Sequence, residues 1–160
     1  MLRTLFVGFL IAFTTGAIAN ENNRKTCVDK ICDRVAYFGC DSTAELENVT
    51  RICNQVEGTC IDASCNKLGY FECDNLSAIE SIANMCRDVI DGNCVTSVCK
   101  KLGEFSCNEA SEIQQVTFIC KGRVEARCID SICKHLGYFA CNSFSEIEKV
   151  AKYCSGTENF

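Results

Sequence analysis

The sequence of 160 residues contains no proline and no tryptophan, and its only histidine is His135. Because proline interrupts helices, its absence favours a chain of helices joined by short turns. The usual catalytic patterns are also missing, since no C-x-x-C, G-x-S-x-G, H-E-x-x-H or P-loop motif occurs. A lone histidine needs an oriented partner to act as a general base, and the sequence supplies none. We therefore predict a protein that is not an enzyme and that carries no cofactor.

Long apolar stretches are missing too. The one short apolar run, from Leu5 to Phe13, is well below the ~20 residues that a membrane-spanning helix needs. It follows Arg3 and precedes Ala17-Ile18-Ala19, the order found in a cleaved signal peptide. We expect residues 1–19 to be removed near Ala19 and the rest to be secreted or periplasmic, without a membrane span. An uncleaved N-terminal anchor is the alternative.

The sequence has no basic run. Removing residues 1–19 takes Arg3 from the 16 Lys and Arg and leaves 15 against 21 Asp and Glu, a net charge of 15 − 21 = −6. An acidic chain of this kind argues against nucleic acid and against anionic membrane surfaces as partners. A protein or another surface ligand remains as the expected partner, and neither its identity nor the oligomeric state follows from the sequence.

Cysteine is abundant: all 16 cysteines fall into four copies of C-x4-C-x7-C-x12-C, which begin at Cys27, Cys60, Cys94 and Cys128. This density in an exported chain is typical of a disulfide scaffold. A cytosolic metal-thiolate protein is the alternative. Structural zinc sites use closely spaced cysteine pairs, whereas here only the first gap is short. We therefore predict disulfides and no metal site.

The four copies divide the chain into units at intervals of 33, 34 and 34 residues, a period typical of helical hairpins. The predicted boundaries are a leader at 20–26, repeats at 27–59, 60–93, 94–127 and 128–154, and a tail at 155–160. The predicted fold class is all-α, with four tandem disulfide-stapled helical hairpins in a solenoid-like α/α array.

Each unit is expected to contain two helices. The first should be capped by Thr26, Thr59 or Asn93 and end at a left-handed Gly69, Gly103 or Gly137. The second should be capped by Asp41, Asp74, Asn108 or Asn142 and carry one apolar stripe, such as Leu46, Val49 and Cys53. Linker residues Val56, Val89, Ile90 and Val124 are expected to pack between hairpins.

Helix geometry restricts the disulfide pairing. The first two cysteines of a unit lie five residues apart on a helix, and the last two bracket the second helix, so neither pair is within disulfide reach. In an antiparallel hairpin this favours nested bonds. The predicted bonds are Cys27–Cys53, Cys32–Cys40, Cys60–Cys86, Cys65–Cys73, Cys94–Cys120, Cys99–Cys107, Cys128–Cys154 and Cys133–Cys141. The main rival joins neighbouring units, as in Cys53–Cys60, and would leave the terminal cysteines unpaired.

A few residues are candidates for surface use. Tyr37, Tyr70 and Tyr138 recur in the turns and could form a binding ladder, although shielding of the inner disulfide is the simpler interpretation. Phe118 replaces polar residues on the outer face of the second helix, where we expect it to pack against a neighbouring hairpin; an exposed contact residue is the alternative. Asn48 and Asn75 begin glycosylation sequons. His135 stands where the other units have Arg34, Lys67 and Lys101, so it is interpreted as a solvated basic position.

The 34-residue helix–turn–helix period resembles that of tetratricopeptide repeats, although their tryptophan position is empty here. In outline it is also similar to the cysteine-rich Sel1-like repeats, which carry one cysteine pair per unit instead of two. Both resemblances imply a role in protein interaction through architecture alone. We predict a protein-binding or structural module. The alternative is a small secreted effector, such as a hydrolase inhibitor or toxin-like factor, acting through the distinctive third unit with Glu104 and Phe118.

Overall fold

The structure is a computed structural model of the chain and describes residues 15–35, 40–54, 56–69, 72–103, 106–137 and 140–156, with side chains from residue 24 onward. Within these residues the chain forms eight helices and no strands. The helices are α1 (Thr15–Cys32), α2 (Thr43–Ile52), α3 (Gly58–Leu68), α4 (Leu76–Met85), α5 (Asn93–Leu102), α6 (Ala110–Ile119), α7 (Ala126–Leu136) and α8 (Phe144–Cys154).

The helices are arranged in two layers. Each odd-numbered helix packs on the even-numbered helix that follows it, so that every unit forms a hairpin. The first helices of neighbouring units also pack on one another, as α1 on α3, α3 on α5 and α5 on α7, and the second helices pack in the same way. The prediction of an all-α array of helical hairpins is therefore confirmed. The hairpins stack, and one hydrophobic core runs through all four units.

The first helices begin earlier than predicted. Helix α1 runs without a break from Thr15, so the leader is helical and Thr26 is not a cap. Helix α3 is capped by Glu57, whose carboxylate accepts hydrogen bonds from the amides of Thr59 and Cys60. A glutamate can cap in this way because its longer side chain reaches the same free amides that a threonine would serve. The predicted caps Thr59 and Asn93 lie inside their helices instead.

The ends of these helices also differ from the expectation. Gly69, Gly103 and Gly137 have φ values of 91°, 103° and 92°, but their ψ values are close to 170°. This is not left-handed helical backbone. It is an extended region that is almost restricted to glycine, and it turns the chain sharply out of the helix.

The second helices are capped one residue later than predicted. The caps are Ser42, Asn75, Glu109 and Ser143. In three of the four units the side chain accepts a bond from the third helical amide, for example Asn75 from Ala78 at 3.0 Å. The predicted Asp or Asn stands one position too early for this geometry.

The linkers contribute to the core. Val56, Val89 and Val124 are at most 4% exposed, as predicted, but Ile90 is 64% exposed, so the expectation that it packs between hairpins is wrong. Backbone bridges join Val56 to Arg87 and Val89 to Lys121, so consecutive linkers lie side by side. The bridge fixes Val89 inward, and the adjacent residue then points outward.

Each unit contains two disulfides, so the chain has eight in all. An outer bond links the first and fourth cysteines, which are 26 residues apart, and an inner bond links the second and third, which are 8 apart. The other units repeat this nested arrangement in full. No cysteine is free. In units two to four the outer bond holds the start of the first helix beside the end of the second, which makes the hairpin antiparallel.

Candidate interaction surface

Polar contacts tie the first helix of one unit to the first helix of the next. Asp62 on α3 accepts a bond from Arg34 at 2.6 Å and lies 3.6 Å from the Lys30 ammonium. Partial burial alone would raise the pKa of the Asp62 carboxyl, but the hydrogen bond and charge of Arg34, with Lys30, outweigh it and lower that pKa. The first junction therefore depends on an ionised Asp62.

The third junction uses the same positions. Asp130 on α7 accepts a bond from the Ser97 hydroxyl at 2.9 Å and lies 3.3 Å from the Lys101 ammonium. In both junctions the aspartate stands two residues after the first cysteine of its unit. Its partners stand three and seven residues after the first cysteine of the preceding unit. At the second junction Thr96 replaces the aspartate.

These contacts change the interpretation of the basic position shared by Arg34, Lys101 and His135. Arg34 and Lys101 are half-buried and bind the next unit, so treating the position as merely solvated is wrong for them. Sequence reasoning missed this role. The signal was present in the pairing of a basic residue with an aspartate 28 or 29 residues later. His135 itself is exposed.

The linker acids make a second set of junction contacts. Glu57 accepts a bond from the Gly92 amide at 3.2 Å, and Asp91 accepts one from the Ala126 amide at 2.8 Å. The backbones approach very closely here: a Cβ added to Gly58 would lie 2.7 Å from the Cys27 Cα. The units thus meet backbone to backbone, and the junction is close-packed rather than a flexible tether.

A polar contact joins the second helices of the first two units, and the third unit has an apolar residue at the equivalent position of the first partner. Arg51 on α2 donates a bond of 2.9 Å to Glu80 on α4. The hydrogen bond and charge of Arg51 lower the pKa of Glu80. Phe118 on α6 occupies the position of Arg51 two units further along the chain, and its side chain is 64% exposed. The prediction that Phe118 packs against a neighbouring hairpin is therefore wrong.

Ile90 lies near the same border of the array. Its neighbour Val89 bridges to Lys121, and the Lys121 amide donates to the Phe118 carbonyl at 3.3 Å. Ile90 and Phe118 are each 64% exposed, more than any other large apolar side chain that the structure describes. We call these two residues the Phe118 edge. An exposed apolar patch with polar residues around it marks a contact site, and these two residues are the candidate for such a patch here.

The remaining candidates are dispersed. Tyr37, Tyr70 and Tyr138 lie outside the described residues, so the ladder stays a prediction. Asn48 is exposed in the middle of α2, and Asn75 is exposed as the cap of α4. The described residues contain no group of three or more His, Cys, Asp or Glu that could hold a metal ion.

Comparison with known protein families, characterised proteins and solved structures finds no match to this chain. None of the described helices is long and apolar enough to cross a membrane. The eight disulfides suggest an oxidising compartment, either extracellular or periplasmic. Fold and site thus define a cysteine-rich, all-helical, disulfide-bonded repeat protein that is compatible with a structural or binding module.

Proposed function

We propose that the protein is exported through a cleaved signal peptide and acts outside the cytoplasm by binding another protein, without catalysis. The observation that carries this proposal is the exposure of Phe118, at a position where Arg51 of the first unit makes a polar contact. An exposed aromatic residue on a rigid scaffold is favourable for binding, because it buries a large area and loses little conformational entropy.

The scaffold supports this role. Every cysteine is in a disulfide, so no thiolate is available as a nucleophile. Outer and inner disulfides hold each hairpin, and the junctions hold the hairpins to one another. A surface on such a frame is pre-organised, so binding does not have to order it.

The proposal is tested by photo-crosslinking in the intact protein. A photoreactive phenylalanine analogue is placed at position 118 or, as a matched control, at position 84, which is equivalent in the second unit. The protein is exposed to the extracellular proteins of its source organism. We expect a discrete crosslinked product from position 118 only. With the purified partner, Phe118→Arg should weaken binding by at least about tenfold, since aromatic contacts dominate interface energies, and Asn84→Arg should not. Equal behaviour at both positions would contradict the proposal.

A secreted effector is the second candidate, because the exposed phenylalanine distinguishes one unit from the other three. In that case the partner identified by crosslinking is a hydrolase or a receptor whose activity changes on binding. The Phe118→Arg protein should then lose that inhibition or signalling in step with its loss of affinity. Binding without any change in the partner's activity would favour the structural module instead.

A further inference from the structure

The two ends of the array expose residues that the inner units bury. One residue after the first cysteine, Ile61, Val95 and Ile129 are fully buried, whereas Val28 in the first unit is half-buried. Nineteen residues after the first cysteine, the isoleucines of units two to four are 0% exposed, whereas Leu46 is 39% exposed. Among the described helices, none packs on the first unit from the side opposite the second unit. Val28 and Leu46 therefore mark the face that a preceding unit would cover.

The other end shows the complementary pattern. Four residues after the first cysteine, Ile31, Ser64 and Val98 are fully buried, whereas Ile132 is half-buried. Leu136 is 56% exposed, whereas at the same position Val35 is buried and Leu68 and Leu102 are half-buried. Ile132, Leu136, Val150 and Tyr153 line a groove of about 540 Å³. This groove lies on the face that a following unit would cover.

The polar side chains at the two faces also occupy the repeat positions that pair with each other at the internal junctions. At the first and third junctions an aspartate is held by side chains three and seven residues after the preceding first cysteine. Ser131 and His135 occupy those two positions in the last unit, and Asp29 occupies the aspartate position in the first. All three side chains are exposed. The Ser131–His135 pair closely matches Ser97–Lys101, which holds Asp130, and an imidazole donates a hydrogen bond to a carboxylate in either protonation state.

We infer that the chain associates head to tail with a second copy of itself: the face of Ser131, Ile132, His135 and Leu136 binds the face of Val28, Asp29 and Leu46 of the next copy. The contact continues the internal junction of the array. The two faces differ, so a dimer still has one unoccupied face of each kind, at opposite ends. Further copies can therefore add, and association builds linear chains unless the rotation between copies closes a ring. This inference concerns the ends and is independent of the Phe118 edge.

The leader is compatible with this contact. Val28 is half-buried, and Asp29 and Leu46 are exposed, with the N-terminal turns of α1 in place. Those turns continue the helix axis at ~1.5 Å per residue, beyond the hairpin rather than across its outer face. The part of the chain that the structure describes therefore offers both faces at once.

The test uses the full chain, expressed into an oxidising compartment, and measures its mass in solution by sedimentation over a range of concentrations. We expect masses that rise in whole multiples of the monomer. Leu136→Arg should block one face and Leu46→Arg the other, and each variant alone should associate at least about tenfold more weakly, because a junction would bury an unpaired charge. Both side chains are exposed, so folding should be retained, and circular dichroism checks this. Asn84→Arg, at an exposed site on α4 of the second unit, is the matched control and should leave association unchanged.

Mixing the two blocked variants gives the decisive signature. The Leu46→Arg protein keeps the face around Leu136 intact, and the Leu136→Arg protein keeps the face around Leu46 intact. These two intact faces can bind each other, so the mixture should form a 1:1 dimer and nothing larger. A charge exchange is a second check: Asp29→Lys and His135→Asp should each weaken association, and the double variant should restore it.

Several outcomes would overturn the inference. These are a monomer at all concentrations up to about 1 mM, association that both blocking variants leave intact, and a mixture that fails to form the dimer. Association that appears only after residues 157–160 are removed would assign the groove to the chain's own tail and would also overturn it.

Discussion

Replacing Gly58 by alanine tests whether the hairpins stack. Gly58 is the first residue of α3. In an isolated hairpin the change should be neutral or stabilising by up to about 1 kcal/mol, because alanine favours helix more than glycine does. In the stacked array the new Cβ would lie 2.7 Å from the Cys27 Cα and 2.8 Å from its nitrogen. Carbon atoms in contact prefer about 3.5–4.0 Å, so the two units would have to separate by roughly 1 Å.

Overpacking of this kind costs about 1–3 kcal/mol, and the obstructing atoms are backbone that no rotamer change can move. The melting temperature should fall by about 2–4 °C for each kcal/mol in a chain of this size. Urea unfolding with the disulfides intact, followed by circular dichroism, gives the free energy of unfolding.

The matched control is Ala126→Gly, the opposite change at the equivalent position of the fourth unit. It should lower the free energy of unfolding by no more than about 1 kcal/mol, through helix propensity alone. A Gly58→Ala protein that is as stable as the wild type, or more stable, would refute the close backbone contact between units.

Three further predictions concern single features. Asp62→Asn should lower the free energy of unfolding by about 1 kcal/mol near pH 7, because it removes a charge held by Arg34 in a partly exposed pair. Folding lowers the pKa of Asp62, so its contribution to stability is present above the pKa of the unfolded chain, about 3.9, and is lost as the pH falls through the lower pKa of the folded protein. Urea unfolding at a series of acidic pH values should therefore show the stability difference between Asp62→Asn and the wild type disappearing. Asp88→Gly should raise the free energy of unfolding by up to about 1 kcal/mol, measured by thermal unfolding, because Asp88 has a φ of 68°, which glycine adopts without steric strain. A loss of stability would show that the aspartate side chain contributes more than this strain costs. Replacing Cys65 and Cys73 together by alanine opens an 8-residue loop and should cost about 2.5 kcal/mol from loop-closure entropy, so a urea midpoint equal to that of the wild type would contradict a structural role for this bond.

Much of the fold follows from the sequence because local rules and the cysteine spacing agree. The apolar stripe of the second helix is periodic over three turns, and it places residues such as Val49 and Val150 in the core. The cysteine spacing then determines how far apart the sulfurs lie on each helix, and nested bonds satisfy that spacing.

Helix starts were less predictable. A capping side chain is chosen by its reach to free amides, and Glu57 reaches two amides of its own unit as well as the Gly92 amide of the next. Capping propensities favour Thr59 as the cap, but they do not take account of hydrogen bonds to a neighbouring unit. The same limit applies to Ile90, since its orientation is set by a backbone bridge at Val89 that forms only when the units stack.

The candidate surface was the least predictable part. Whether Phe118 is buried depends on what stands opposite it in the next unit, and helical periodicity within one unit does not contain that information. The junction ion pairs were visible only in the offset between units: Arg34 to Asp62 spans 28 residues and Lys101 to Asp130 spans 29. Comparing positions across repeats, rather than within one repeat, identifies such pairs.

The central claim is that each unit is a self-contained hairpin locked by two nested disulfides. Tryptic digestion of the unreduced protein tests it directly, because cleavage after Lys30, Arg34 and Arg51 separates the cysteines of the first unit. We expect peptides 26–30 and 68–87 both linked to peptide 52–67, because 52–67 also contains Cys60 and Cys65. Peptide 31–34 should be linked to 35–51. The intact mass should be about 16 Da below that of the reduced chain, since each bond removes two hydrogens. A free thiol at Cys27, together with a Cys53–Cys60 bond inside peptide 52–67, would contradict the account.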